Sequence, residues 1–422
     1  MLRSLLALAL LAISLPLAAQ EITLRHAVEG KTLDALATLV VRFNDEQKGR
    51  ARLRLESAEA TEDKGRLPTL ALLDPQDAGR FFAGQRPRFR SLAEAMKEGG
   101  EKWDEKRIFP QLAEAVGDAS GALQALPLAM TLPVLFVNRD ALARAGLEGA
   151  PLPRTWWQLQ QTAGAMYEAG VACPLTTSRF AWIHLENIAA QAGVPLSVRS
   201  GGSERSTLNG MVNVKHIALL ASWHKSRYFH WFGPRREGEE AFARGECAML
   251  TGDSSAWFDL QRHARFPVLM SELPYYDDVY GARPGHVLPD GMSLWLPAGA
   301  RKEETRVAVR FINFLLRPDN QRLWVRSTGY LPMTAQAMDE LRSAGVPAPL
   351  IEAAKRRLTL GRKGGEVRNG FARSRIRTML DEEIEFVWSN DKPAKEALDT
   401  AVMRAVRLSP AAFEPLAATA YR

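Results

Sequence analysis

Leu126-Pro127-Leu128-Ala129-Met130-Thr131-Leu132-Pro133-Val134-Leu135-Phe136-Val137-Asn138 is an apolar run with a proline second and another eighth. Proline donates no backbone hydrogen bond, so it is excluded from the interior of a central strand, and one strand of this length is implausible. The run reads instead as a strand, a hinge near Thr131-Leu132 and a second strand. A hinge between two buried strands implies two lobes. Length agrees, because 422 residues exceed what one hydrophobic core usually serves.

On the N-terminal side of the hinge, Glu21 to Ala27 alternates as a strand does. A helix from about Thr32 to Gln47 follows, with Leu33, Leu36, Leu39, Val40 and Phe43 on one face. A strand near Arg52 to Leu55, a charged loop from Glu59 to Arg66, and the buried strand Leu70 to Leu73 ending at Asp74-Pro75 complete an α/β rhythm. In such sheets ligands bind beyond the carboxyl ends of the strands, where Asp74 sits.

On the C-terminal side, Thr155 caps a helix beginning Trp156-Trp157 and is followed by a strand at Cys173. Helices follow from about Trp182 to Ala192, around Ile217 to His224 and from Glu239 to Glu246, the last closed by glycine before a strand at Cys247. The chain recrosses near Val287 to Trp295, where Pro289-Asp290-Gly291 reads as a turn. Helices from Glu303 to Arg317 and just beyond lead to Thr328-Gly329-Tyr330-Leu331-Pro332-Met333-Thr334, a rigid third crossing with Tyr330 facing the cleft. A basic loop, Gly361 to Gly370, and helices from about Ser374 to Trp388 and Pro393 to Val406 end the ordered part. The expected division is a first lobe of residues 20–131 and 292–330, a second of 132–291 and 331–408, and a tail of 409–422. Each lobe is a mixed sheet flanked by helices.

Residues 1–19 have the form of a secretory signal: Arg3, an apolar core from Leu5 to Leu17, then Leu17-Ala18-Ala19 as small residues for cleavage. The apolar run is too short to span about 30 Å of hydrocarbon, which predicts a soluble, periplasmic mature protein. The net charge of +7 comes from 55 basic and 48 acidic side chains. It is dispersed, with no basic block interleaved with aromatics, so nucleic acid is not an expected partner. Seven scattered histidines and two cysteines make no metal-ligand spacing, and neither metal nor cofactor is implied. Cys173 and Cys247 can be bridged or can be two buried thiols; the sequence leaves this open.

The chain resembles the extracytoplasmic solute-binding proteins of ATP-driven importers, of the maltose-binding type, and within them the glycerol-3-phosphate-binding branch. The resemblance runs from His26 to about Val402. It is carried by Arg42-Phe43-Asn44, Pro133-Val134-Leu135 with Asn138-Arg139-Asp140-Ala141, and Trp182-Ile183-His184-Leu185-Glu186-Asn187. Further matches are Cys247-Ala248-Met249, Ser293-Leu294-Trp295, Thr328-Gly329-Tyr330-Leu331-Pro332 and Asp381-Glu382-Glu383. It implies a two-lobe, type II periplasmic binding protein, a monomer that delivers a phosphorylated small molecule to an inner-membrane permease and is not an enzyme.

The resemblance places a phosphate cradle on Thr131, Ser254, Gly291, Tyr330 and Arg377. Hydroxyls, a bare backbone N–H and one fixed guanidinium suit a phosphate. Each has a plainer reading: Arg377 as a partner of Asp381 one helical turn on, Ser254 as a helix cap, Gly291 as a turn glycine. The organic end of the site departs from the family. The glycerol-contacting tyrosine has no counterpart between Ser57 and Lys64, Asp74 stands beside the place of an acidic partner, and the residue before His26 is Arg25. Of two stacking tryptophans only Trp182 is kept, the other being replaced near Arg179-Phe180. Trp182 can equally be an aromatic of the lobe interior. A glycerol phosphate ester is therefore the expected ligand, with a neutral sugar or oligosaccharide as the alternative on this fold. A secreted phosphodiester hydrolase is disfavoured, since no catalytic metal set or Ser/His/Asp order stands out.

Overall fold

The computed structural model describes residues 20–58, 67–81, 89–117, 122–200, 203–278, 286–343, 345–359 and 370–408. The signal segment, the whole Glu59–Arg66 loop, the basic loop up to residue 369 and the 409–422 tail lie outside them. The strands are β1 (Gln20–His26), β2 (Ala51–Ser57), β3 (Leu70–Leu73), β4 (Phe89–Arg90), β5 (Leu126–Thr131) and β6 (Pro133–Asn138). They continue with β7 (Cys173–Thr177), β8 (Ser197–Ser200), β9 (Ser203–Ser206), β10 (Cys247–Asp253), β11 (Val268–Glu272) and β12 (Asp290–Pro297).

The apolar run around Leu132 splits as its prolines require: β5 belongs to one sheet and β6 to another, with Leu132 alone between them. The first sheet runs β2-β1-β3-β12-β4, with β5 also on β12. β1 is parallel to β2 and β3, while β12 is antiparallel to β3, β4 and β5. The second sheet runs β11-β6-β10-β7, with β10 parallel to β7 and antiparallel to β6. Both sheets are mixed, and helices cover them.

The helix Gly30–Gln47 shows why the period was readable: Ala35, Leu36, Leu39, Val40 and Phe43 are its buried face. Phe43 meets Phe311 and Phe314 of the helix Lys302–Leu315 edge-on, with ring centroids 5.1 and 5.5 Å apart. In the second sheet Cys173 and Cys247 are register partners on β7 and β10 and are joined by a disulfide, which answers the question the sequence leaves open.

Pro289-Asp290-Gly291 is not the isolated turn its composition suggests. Asp290 opens β12 opposite Thr131 and Gly291 pairs with Met130. Glycine is required there because a Cβ would lie 2.0 Å from the carbonyl oxygen of Ala129, beside a register break between Met292 and Leu294. The Thr328–Thr334 segment follows the helix Pro318–Thr328 and lies against the first crossing: Leu331 donates its N–H to the Met130 carbonyl at 2.8 Å. Gly329 has φ +81°, and a Cβ on it would lie 2.7 Å from both the Ser255 carbonyl oxygen and the Phe258 ring.

Elements with weak sequence signals went unanticipated. They are the two-residue β4, the helix Leu92–Gly99 with its Ser91–Glu94 capping box, the β8–β9 hairpin and the helix Ala348–Thr359. The helix expected from Trp182 begins as a π-helical turn, Trp182–Glu186, before continuing as Asn187–Gln191.

Candidate ligand-binding site

Where β5, β10 and β12 end or begin, the chain gathers polar side chains between the two sheets. Thr131, the last residue of β5, shares a 2.8 Å hydrogen bond with the Ser254 hydroxyl just past β10. The same Ser254 hydroxyl accepts from the Leu132 N–H at 3.1 Å, and the Ser254 N–H donates to the Leu132 carbonyl at 2.8 Å. The reading of Ser254 as a cap is corrected. Asp253 caps the short turn Ser254–Ala256 by accepting from the Ser255 N–H at 3.0 Å, because its carboxylate points along the orphan N–H groups. Ser254 is thereby left to join the lobes.

Tyr330 stacks on Trp324, with centroids 6.0 Å apart, and bonds the side chain of Thr32. Burial, then the charge of Asp253, push the Tyr330 hydroxyl above its ordinary pKa, so it stays protonated as a donor. Burial works against ionisation of Asp253, but Arg179, Ser255 and Arg236 outweigh it and keep the carboxylate charged.

Arg377, on the helix Gly370–Trp388, does not pair with Asp381 as a helical neighbour. It reaches across to Glu186 with a fork, Nε to Oε1 at 2.5 Å and Nη2 to Oε2 at 2.8 Å, and its Nη1 donates to Asp290 Oδ2 at 2.8 Å. A planar guanidinium matches two carboxylates in this way where one turn of helix does not. Burial opposes its charge, but Asp290 and Glu186 hold Arg377 protonated far above the ordinary range. Arg179 donates to the same Asp290 oxygen and lies 3.6 Å from Asp253. Asp253, Arg179, Asp290 and Arg377 thus form one continuous chain of polar groups to the long helix, with Tyr330 near enough to feel the charges of Asp253, Arg179 and Arg236.

Of the other expected residues, Trp182 and Gly291 adjoin this chain of polar groups, and no contact among the described residues joins Asp74 to it. Trp182 is buried, donates its indole N–H to the Leu288 carbonyl at 3.0 Å, and carries the Arg179 guanidinium 4.4 Å above its ring. Gly291 follows Asp290 on β12. Asp74 accepts from the Asp77 N–H at 2.7 Å and so caps the helix Pro75–Phe81, which packs on the helix bearing Arg377. Sequence reading missed Glu186, Arg179, Asp253 and Asp290 as site residues. Glu186 stood inside the Trp182–Asn187 block, and Arg179 was noted only as a lost tryptophan.

Behind the crossings lies an apolar hollow of about 60 Å³, walled by residues such as Leu132, Val134, Met270, Leu331 and Ile351. Its walls offer few donors for an anion. Among the described residues no His/Cys/Asp/Glu group has the arrangement of a metal site, and no helix is long and apolar enough to cross a membrane.

Residues 55–349 match the family described as bacterial extracellular solute-binding proteins. The chain belongs to that family. Among relatives of this solute-binding protein is the sn-glycerol-3-phosphate-binding periplasmic protein UgpB of Salmonella paratyphi A, 32% identical over 427 residues, covering 96% of this chain and 95% of the relative. The fold matches UgpB from Mycobacterium tuberculosis in complex with glycerophosphocholine, at TM-score 0.73 and 19% identity, covering 93% of this chain and 99% of that one. It also matches maltose-bound MalE3 of T. maritima, at TM-score 0.70 and 16% identity, covering 92% and 100%. Two such neighbours with different ligands mean that the fold alone does not choose the ligand.

Proposed function

We propose that this solute-binding protein captures a glycerol phosphate ester, sn-glycerol 3-phosphate or a glycerophosphodiester, in the periplasm and delivers it to the inner-membrane permease of an ATP-driven importer. The observation that supports the reading is that Thr131 and Ser254 join Arg377 through Asp253, Arg179 and Asp290, with Tyr330 beside Asp253, at the positions the glycerol-3-phosphate-binding branch implies. Gly291 and Trp182 border this set, and Asp74 is assigned to the site from its place after the Leu70–Leu73 strand. Two hydroxyls, a protonated phenol and a permanently charged guanidinium are the donors a phosphate needs. Sequence identity to UgpB across nearly the whole chain supports the same ligand class. We extend the reading to a monomer exported by cleavage of residues 1–19, with no cofactor, no nucleic-acid partner and no catalytic role.

Closure over a ligand then follows from bridging the lobes. A micromolar dissociation constant corresponds to about −8 kcal/mol, which a few charge-assisted hydrogen bonds of roughly 1.5–3 kcal/mol each can supply after ordering costs. Isothermal titration of the purified protein tests this: glycerophosphocholine or sn-glycerol 3-phosphate gives saturable heat and maltose gives none. Heat with maltose and none with either ester would instead establish the sugar-binding alternative.

A further inference from the structure

Asp290 stands where two guanidinium groups converge. Arg377 Nη1 and Arg179 Nη2 both donate to its Oδ2. That is the geometry of an oxyanion site, and the anion is supplied by the chain itself. The partners come from different parts of the molecule: Asp290 opens β12 in the first sheet, Arg179 follows β7 of the second, and Arg377 rides on the long helix. The Asp290 side chain is 3% exposed, Arg377 15% and Arg179 25%, so solvent reaches this group through the arginines.

Arg179 is held for this position. It is one of four described non-glycine residues with positive φ, at +48°, and its N–H donates to the Arg235 carbonyl at 2.7 Å. Such a backbone is strained and persists where the surroundings enforce it. Its guanidinium covers the Trp182 ring, so a sugar ring cannot use that face as a stacking platform.

Among the described residues around the clamp, carboxylates outnumber guanidinium groups four to three. Arg179, Arg377 and Arg236 face Glu186, Asp253, Asp290 and Glu239, and Arg236 is paired with Glu239 at 2.5 Å. Burial and Asp253 push the Glu239 carboxyl upward, which moderates the negative side without reversing the balance. Among these described groups there is no surplus of positive charge. A phosphomonoester carries about −1.5 to −2 near neutral pH and a phosphodiester −1, so the repulsion from Asp253 and Asp290 is larger for the monoester.

We propose that Asp290 is an internal competitor for the ligand's phosphate. Arg179 and Arg377 form a two-guanidinium clamp that exchanges the Asp290 carboxylate for the incoming anion, and this exchange makes the site select a singly charged phosphodiester over a dianionic monoester. The inference rests on the phosphate-ester reading above and names the ligand class within it. Arg179 is a ligand-contacting residue in this scheme, and Asp290 sets specificity by what it opposes.

The test is calorimetric titration of the full chain at pH 7.5 with glycerophosphoglycerol, a diester without a cationic head group, and with sn-glycerol 3-phosphate. The wild type binds the diester more tightly. Asp290→Asn keeps the shape and removes the competing charge. It tightens the monoester about tenfold, or about 1.4 kcal/mol, and the diester less, so the preference narrows. Arg179→Lys keeps a charge but loses the fork and weakens the diester about tenfold. Thermal unfolding of each variant reports whether it folds, and the Arg179→Lys arm stands if Asp290→Asn does not fold. The proposal is overturned if Asp290→Asn weakens both esters equally, if Arg179→Lys leaves the diester unchanged, or if the wild type prefers the monoester. Absence of binding to either ester by the wild type would remove the phosphate-ester reading itself, together with this one.

Discussion

One π-helical turn, Trp182–Glu186, serves two buried polar networks of opposite character. His184 points into the second lobe. Its Nδ1 shares a 2.8 Å hydrogen bond with His216 Nε2, its Nε2 lies 2.9 and 3.0 Å from the hydroxyls of Thr177 and Thr251, and His216 Nδ1 bonds the Tyr276 hydroxyl at 2.7 Å. Two residues on, Glu186 points the other way, to Arg377 and through it to Asp290 and Arg179. Both side chains are fully buried. The histidine network is neutral and lies wholly within one lobe, whereas the carboxylate network is charged and joins lobe to lobe. A satisfied neutral network specifies packing. A charged one that spans a cleft costs desolvation that packing alone does not recover, which marks it as the working side.

The largest effect that separates the two is expected from Arg377→Ala. It leaves Glu186 and Asp290 buried without their main cation, which costs about 3–5 kcal/mol of stability. Loss of phosphate-ester heat in calorimetry should accompany it. Retained affinity for the ester would move the site away from this network.

The histidine network should respond to acid and not to ligand. Burial holds His184 at about 3 and His216 well below 6.5, so between those values the unfolded chain binds protons that the folded one refuses. Stability is therefore full above about pH 6.5 and is lost as pH falls. His216→Gln should flatten this limb between pH 6.5 and 4, read by denaturant melts at each pH. Ester affinity should stay within about twofold. A tenfold loss would mean that the π turn couples the networks and that the contrast drawn here is false.

A smaller effect, of opposite sign, comes from Asp381 beside the charged network. Burial raises its carboxyl to about 7 despite the nearby Arg377 and Arg235. From about pH 4 to 7 the folded state keeps a proton that the unfolded state releases, so stability falls as pH rises through that window and levels off above it. Asp381→Asn should remove the slope and stabilise the protein at pH 8 relative to pH 5 by on the order of 2–3 kcal/mol. An unchanged profile would show that Asp381 is ionised in the fold.

The parts legible in the sequence were those governed by local rules. Pro133 marked the division of the apolar run beside Leu132 because a missing N–H cannot be hidden inside a central strand, while Pro127 is accommodated within β5, which pairs on one side only; Thr155 announced its helix by the cap it makes. Thr131, Ser254, Tyr330 and Arg377 were proposed through the family resemblance, and Thr131, Ser254 and Arg377 share one polar network in the structure. What they bond to was not legible. Asp290 looked like a turn residue because its role depends on Arg179 and Arg377, 111 and 87 positions away in the chain. Arg179 looked like a vacancy left by tryptophan because a guanidinium stacked on Trp182 has no sequence periodicity. The Cys173–Cys247 bridge depended on β7 and β10 being register partners, which only the folded sheet specifies.

Leu132 is the whole length of chain between β5 and β6, and the hydroxyls of Thr131 and Ser254, proposed to hold the phosphate, are fastened on either side of it. For bodies pivoting about a point, displacement grows with distance from the fulcrum. Gripping an anion beside that pivot asks for tenths of an ångström locally, while the outer rims of the lobes, at the far end of the lever, sweep the greatest arc. A receiving membrane protein that touches those rims would sense occupancy as a change in spacing, without ever contacting the cargo.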